Sequence, residues 1–389
     1  MKKRIICLIL TAVTLVAALS ACSGSKAKGK LFTVRDTKNS EEITAIFKNT
    51  VSGETSEVKL KKGESGEGYT DYNCTADPDK FDRVTIKTNT DETIELAYNS
   101  YVTGWVLNEH RFMPYDTGSD APKYERKTFD YQKRTKDILI WTPDDYDPKG
   151  DPCSVIYMTD GQNLFDPSAT STGSWAVAES ARAMAQNGGE KCIIVGIENA
   201  DSWRDDELTP DIGEVLSPDY ENGHGEYFSD FVVKTVMPYI NENYNVYTDF
   251  EHTHICGSSS GGIESFYIGM EHPDKFGSIG AMSPAFLLYS PETWKKYISE
   301  KDFSVNTPVV YIYSGKSSKD QLEAQICSQA EIMPDTLKKA DYPEDRIVTK
   351  IYDSGIHNEM YWRAVFPDYL KYAFPKPIPM KTDDTQKTE

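Results

Sequence analysis

Ile255-Cys256-Gly257-Ser258-Ser259-Ser260-Gly261-Gly262 reads as the end of a strand, a cramped turn and the start of a helix. Its middle five residues fit G-x-S-x-G, with Ser259 at the centre. A serine hydroxyl is a poor nucleophile until a base reaches it, and a sharp turn lifts the side chain clear of the sheet toward such a base. Gly257 and Gly261 suit the turn because a Cβ at either place would collide with the neighbouring strand or helix. The pattern recurs by chance in ordinary sequences, so its surroundings decide what it means.

Upstream, the apolar, β-branched run from Cys153 to Thr159 ends in Asp160-Gly161-Gln162-Asn163, a strand feeding a tight loop. Downstream, Ile263 to Met270 continues as a helix that stops at His272-Pro273. Further on, Arg346 to Tyr352 alternates like a strand and leads into Asp353-Ser354-Gly355-Ile356-His357. Serine, then an acid, then a histidine near the C-terminus is the chain order of α/β-hydrolases. Ser259 and His357 are therefore the candidate nucleophile and base. An elbow of this shape with an inert serine is the structural alternative.

The chain opens Met-Lys-Lys-Arg, runs apolar from Ile5 to Leu19 and closes Leu19-Ser20-Ala21-Cys22. That is a charged start, a hydrophobic stretch and a small-residue cleavage site, in the form that resembles a bacterial lipoprotein signal with lipid on Cys22. A cleaved secretory leader is the alternative. Residues 23–30 read as a polar tether, and the expected location is extracytoplasmic, held to the bacterial membrane. The net charge is −19 and becomes −22 once Lys2, Lys3 and Arg4 leave with the leader. Such acidity, without a basic stripe, argues against nucleic acid as a partner. Cys153, Cys192 and Cys256 fall in expected core strands and read as packed thiols.

Residues 31–115 hold short alternating runs separated by Gly, Asn and Asp, the spacing of a small β-sandwich. Residues 116–122 are a polar, proline-ended linker. From 123 to 376, β-like runs alternate with helical patterns, which predicts a mostly parallel sheet with helices on both faces. Residues 377–389 are expected to be a disordered tail.

The second domain resembles the bacterial Putative esterase family of α/β-hydrolases, which includes feruloyl and acetyl esterases and enterochelin-type siderophore esterases. Four segments carry the resemblance: Val155 to Asp166; Val195 to Asn199 with Arg204 and Glu207; Gly257 to Gly262; and Gly355 to Glu359 with Trp362-Arg363. It implies that Ser259 attacks and His357 serves as base, then acid. The backbone N–H of Ser260 would supply half of an oxyanion hole, and Gln162 or Asn163 the other half. No cofactor is implied. The substrate expected is a feruloyl or acetyl ester of a plant-type polysaccharide; the alternatives are a ferric-siderophore ester hydrolase and a non-catalytic binding lipoprotein.

The acid departs from the family pattern, because Ser318 stands where it is expected. Asp320 is the first substitute and Glu323 the reserve, with helix capping as the competing role for Asp320. Some siderophore esterases in the family resemble a Ser-His dyad, so an absent acid is also open. Trp175, Tyr220 and Trp362 lie near strand ends, where loops form the pocket of an open α/β sheet, and are candidates for stacking on a sugar or phenolic ring. Core packing is their alternative role. His252 and His254 share a strand face without a recognisable third ligand, and read as surface histidines rather than a zinc pair. In the first domain, Phe81 to Asn89, Thr93 to Leu96 and Gly104-Trp105 loosely resemble a carbohydrate-binding sandwich, with a spacer or a pocket lid as alternatives.

Overall fold

The computed structural model describes residues 29–375 except 90–94, 110, 119–120 and 218–222. The expected leader with Cys22, residues 23–28 of the tether, Tyr220 and the tail lie outside the described residues.

Strands β1 (Lys30–Asp36), β2 (Thr44–Lys48), β3 (Thr55–Lys59), β4 (Lys61–Gly66), β5 (Tyr69–Ala76), β6 (Arg83–Lys87), β7 (Glu95–Ala97), β8 (Gly104–Asn108) and β9 (Arg111–Pro114) form two sheets. One runs β4-β5-β1-β8-β9 and the other β3-β2-β6-β7. In β2, Ala45 and Phe47 are buried while their neighbours are half-exposed, the two-residue period of a strand with one face inward. Phe32, Phe47, Tyr98 and Trp105 fill the shared core, with the Phe32 and Phe47 rings 5.0 Å apart edge to face.

The second body is built on β10 (Tyr124–Tyr131), β11 (Arg134–Trp141), β12 (Ser154–Met158), β13 (Cys192–Ile197), β14 (Thr253–Ser258), β15 (Ser278–Met282), β16 (Val309–Gly315) and β17 (Ile347–Tyr352). They lie in the order β10-β11-β13-β12-β14-β15-β16-β17. β10 and β11 are antiparallel, and every pair from β13 to β17 is parallel. Helices α1 (Val177–Gln186), α2 (Arg204–Glu207), α3 (Gly225–Phe231), α4 (Met237–Asn243), α5 (Ser260–Glu271), α6 (Pro291–Ser299), α7 (Gln321–Lys339) and α8 (Glu359–Ala373) complete it.

Central strands are apolar without alternation because both faces are covered. In β12, Val155 and Tyr157 pack into a core with α3 to α7, whereas Ile156 and Met158 pack into a second core with α1 and α8. This is the α/β-hydrolase arrangement.

Helix α8 also belongs to the first domain. Its Met360, Tyr361 and Ala364, with Ala183 of α1, are part of the sandwich core. Burying a side chain the size of Met360 or Tyr361 contributes about 1.5–3 kcal/mol. The linker is pinned rather than loose at its start: Thr117 N–H donates to Gln186 Oε1 at 3.0 Å, and the buried Asp116 carboxylate lies 3.8 Å from Arg182. Burial lifts the Asp116 pKa to about 6, against the pull of Arg182.

Candidate active site

The loop from Asp160 to Asn163 follows β12, Ser259 and Ser260 follow β14, and His357 follows β17, all at the carboxyl edge of the parallel sheet, where an open α/β sheet forms its crevice. Ser259 stands between β14 and α5 with φ 58° and ψ −127°. Such a backbone costs of order 1–3 kcal/mol for a non-glycine residue and persists only when neighbours impose it. They do here. Ser259 N–H donates to Met282 O at 3.0 Å, and its carbonyl accepts from Ala285 N–H at 3.1 Å. A Cβ at Gly257 or at Gly261 would overlap Thr159 Oγ1. The G-x-S-x-G glycines thus let the elbow sit against the end of β12.

Ser260 is the first residue of α5, where backbone N–H groups have no partner within the helix. Its buried hydroxyl donates to Asp205 Oδ1 at 3.1 Å. In the facing loop, Asp160 (φ 54°) is consumed structurally. Its carboxylate accepts from Arg204 Nε at 2.6 Å, Arg204 Nη2 at 2.8 Å and Asn199 Nδ2 at 2.6 Å. Asn163 is also occupied: its N–H donates to Asp160 O at 2.9 Å and its side-chain amide to Glu359 Oε1 at 3.3 Å. Gln162 uses its side-chain oxygen to accept from Asn199 N–H at 3.3 Å.

His357 follows β17, and its Nδ1 lies 2.8 Å from Glu323 Oε2. A carboxylate has only acceptors to offer, so Nδ1 carries a proton, and in the neutral imidazole the lone pair is on Nε2. Glu323 is fully buried. Its other oxygen accepts from Ser283 Oγ at 2.8 Å, Ser314 Oγ at 2.8 Å and Gly315 N–H at 2.5 Å. Ser283 in turn accepts from Trp362 Nε1 at 3.0 Å, and the Trp362 ring meets the imidazole edge to face at 5.1 Å.

The expectation for Asp320 is corrected by this geometry. Asp320 caps α7, accepting from Glu323 N–H at 3.1 Å through Oδ1, and its Oδ2 accepts from the His357 backbone N–H at 2.9 Å. Burial opposes its charge, but these backbone donors outweigh that and hold it below the usual carboxylate range. It touches the histidine's main chain, never its ring. Glu323, on the first turn of α7, faces inward beneath β16 and meets the imidazole instead.

Trp175 is likewise corrected. It is buried in the core, its ring 5.4 Å from that of Trp362 and edge to face with Phe366 at 6.2 Å. Trp362 is buried too and serves as the wall behind His357. His254 is not a surface residue: it is buried against Phe374, bonded to Ser278 Oγ at 2.9 Å, and burial lowers its pKa to about 3. His252 is separately paired with Asp249 at 2.6 Å. Among the described residues of the sandwich, the strongly exposed large apolar side chains are Leu31 and Val51, neither of them aromatic. Trp203, in the second body, is 56% exposed, with Arg134 over one face of its ring at 5.4 Å.

Sequence reasoning missed Ser283, Ser314 and Glu359. Glu359 accepts from Thr172 Oγ1 at 2.8 Å and Thr170 Oγ1 at 3.2 Å as well as from Asn163, tying the loop after β12 to α8. The one available signal that Glu323 rather than Asp320 meets the imidazole was the Asp320-x-x-Glu323 spacing at a helix start, where a capping residue's side chain is already spent.

A strained serine at a strand–helix elbow and a histidine backed by a buried carboxylate, each following a strand of this sheet, are the arrangement of an α/β-hydrolase. The Putative esterase family matches residues 131–373. The chain belongs to that family and is a carboxylic ester hydrolase. YbbA of Bacillus subtilis, an uncharacterized protein, is 23% identical over 244 residues, covering 61% of this chain and 92% of that one. Among solved structures, the CE1 ferulic acid esterase AmCE1/Fae1A of Anaeromyces mucronatus has TM-score 0.51 and 19% identity over 67% of this chain and 93% of its own. The siderophore hydrolase EstA of Aspergillus nidulans has TM-score 0.54 and 17% identity, covering 66% and 96%. The enterobactin esterase FES of Shigella flexneri has TM-score 0.52 and 14% identity, covering 88% and 92%. At such identities these structures speak to the fold alone.

Proposed function

We propose that Ser259, His357 and Glu323 act as nucleophile, base and acid in an acyl-enzyme mechanism. The observation that carries this is the 2.8 Å bond from His357 Nδ1 to the buried Glu323, which leaves Nε2 free to take a proton. Ser259 Oγ attacks the ester carbonyl carbon as its proton passes to His357 Nε2. The oxyanion is met by the backbone N–H groups of Ser260 and Gln162, and a single such donor is worth about 100- to 1000-fold in rate. Collapse breaks the bond to the alcohol, which leaves with the proton from Nε2. Water then loses a proton to Nε2 and adds to the acyl carbon; on collapse the C–Oγ bond breaks, Nε2 returns the proton to Ser259 Oγ, and the acid leaves. Purified protein should hydrolyse a short activated ester, and Ser259→Ala should abolish this without unfolding. A binding lipoprotein that kept the fold would capture ligand and be indifferent to that substitution.

For the substrate we favour a feruloyl or acetyl ester on a plant-type polysaccharide, presented to an enzyme anchored through Cys22. The exposed ring of Trp203 supports this reading: it directly precedes Arg204 and Asp205, which bond to Asp160 and Ser260 at the elbow. A ferric-siderophore ester is the second reading. It is favoured by the FES structure, whose likeness extends over 88% of this chain and so reaches into the sandwich. Faster turnover of methyl ferulate than of a catechol trilactone supports the first reading, and the reverse order supports the second. Anchoring is tested by lipid labelling in cells, which Cys22→Ala should remove.

A further inference from the structure

His357 sits in a segment held from two sides, and one of the two sides is the other domain. From the hydrolase side, Lys316 N–H donates to Tyr352 O at 2.8 Å, Ser317 N–H to Gly355 O at 3.2 Å, and Asp320 receives the His357 N–H. From the sandwich side, Arg83 Nη1 donates to Ile351 O at 2.9 Å and its guanidinium lies 3.6 Å over the Tyr352 ring. Glu95 grips the next two residues: Asp353 N–H donates to Glu95 Oε2 at 2.8 Å, and Glu95 N–H donates to Ser354 Oγ at 3.2 Å. Past the turn, Ile356 packs on the sandwich core, of which Met360 and Tyr361 are members. The histidine is thus bracketed, before and after, by residues fastened to the first domain.

We propose that the sandwich is a positioning element for the histidine, with Glu95 as its principal positioning residue. Asp353 and Ser354 stand four and three residues before His357, on a turn with a glycine at 355. A Cβ at Gly355 would overlap the Tyr313 hydroxyl and the Gly315 backbone, so the turn has little room on the hydrolase side. The sandwich closes the other side. Arg83 and Glu95 are nearly buried and 3.6 Å apart, with Lys48 a further 3.6 Å from Glu95 Oε1, so the clamp carries its own charge balance. The first domain lies outside the family match at 131–373, yet it fixes a loop that the match contains. Because a displacement of about 1 Å in a reacting group costs of order 100-fold in rate, a turn released on one side is felt at the ring.

This inference rests on His357 being the base of the triad proposed above. The test uses the full chain and a small activated ester, with Glu95→Ala, Glu95→Gln and Ser354→Ala. Glu95→Ala should lower kcat about 10- to 100-fold with KM little changed, and should slow fluorophosphonate labelling of Ser259 in parallel. Glu95→Gln keeps an acceptor for the Asp353 N–H and should restore kcat to within about threefold of wild type. Ser354→Ala, which leaves Glu95 and the interface in place, should lower kcat severalfold at an unchanged melting temperature and covers the case in which Glu95→Ala does not fold. Folded Glu95→Ala with wild-type kcat overturns the proposal. So does a loss of activity that only tracks the unfolded fraction, or a Glu95→Gln enzyme as slow as the alanine variant. A wild type that neither reacts with the probe nor hydrolyses the ester removes the triad reading itself, which keeps the two failures apart.

Discussion

His357 turns its Nδ1 toward Glu323 Oε2 at 2.8 Å, whereas Asp320, three residues earlier on the same turn of chain, reaches only the histidine's backbone N–H at 2.9 Å. The two carboxylates divide the work that one of them was expected to do. Glu323→Gln should therefore lower kcat about 10³- to 10⁴-fold with ester binding retained, the scale seen when a triad carboxylate loses its charge. Asp320→Asn keeps a capping oxygen and should leave kcat within about tenfold of wild type. Steady-state kinetics on one activated ester decides between them; the opposite ranking would restore Asp320 as the acid.

Ser283 stands between Trp362 and Glu323, accepting from one at 3.0 Å and donating to the other at 2.8 Å. Hydrogen bonds to a charged group contribute about 1.5–3 kcal/mol, so Ser283→Ala should slow kcat roughly 10-fold or more while leaving two donors on Glu323. An unchanged kcat would mean that Ser314 and Gly315 alone hold the carboxylate.

Much of this site could be read from the chain, and its limits have physical causes. Ser259 and His357 were visible because a nucleophile elbow needs small residues at fixed offsets, and the strands around them are unbroken apolar runs. Which carboxylate meets the imidazole could not be read, because Asp320 and Glu323 are three residues apart at a helix start and sequence does not say which side chain the cap consumes. Strand β5, Tyr-Thr-Asp-Tyr-Asn-Cys-Thr-Ala, turns Tyr72, Cys74 and Ala76 to the sandwich core but is weakly marked in the chain, because the opposite face carries Asp71, buried in an ion pair with Arg35 at 2.8 Å. Trp175 looked like a ligand platform because a strand-end aromatic has the same sequence whether it faces the crevice or, as here, the core. The grip of Glu95 on Asp353 joins residues 258 positions apart and leaves no local trace.

Glu264 lies wholly within the core on α5, both carboxyl oxygens without a hydrogen-bond partner, and burial pushes its pKa well above the usual carboxylate range. The folded protein keeps this proton at pH values where the unfolded chain has lost it, so the group costs stability increasingly as pH rises above its unfolded value near 4.5. Glu264→Gln removes that dependence. Melting temperatures of the two proteins should converge near pH 4 and separate in favour of the glutamine variant by pH 8; a constant difference across that range would show that the carboxyl is not titrating.

The buried Asp160 is held by Arg204 on two bonds and by Asn199 on a third. Removing one member of such a pair leaves a buried charge uncompensated, so Arg204→Met should destabilise the fold by about 3–5 kcal/mol in urea unfolding. A change below about 1 kcal/mol would place this pair with ordinary surface salt bridges.

The central claim is that Ser259 carries the acyl group. Incubation with a fluorophosphonate followed by peptide mass spectrometry measures this directly: one adduct per chain, on the peptide containing Ser259, absent from a folded Ser259→Ala protein and formed at a much lower rate in Glu323→Gln. An adduct on another serine, or no adduct in a wild-type protein that hydrolyses esters, would contradict it.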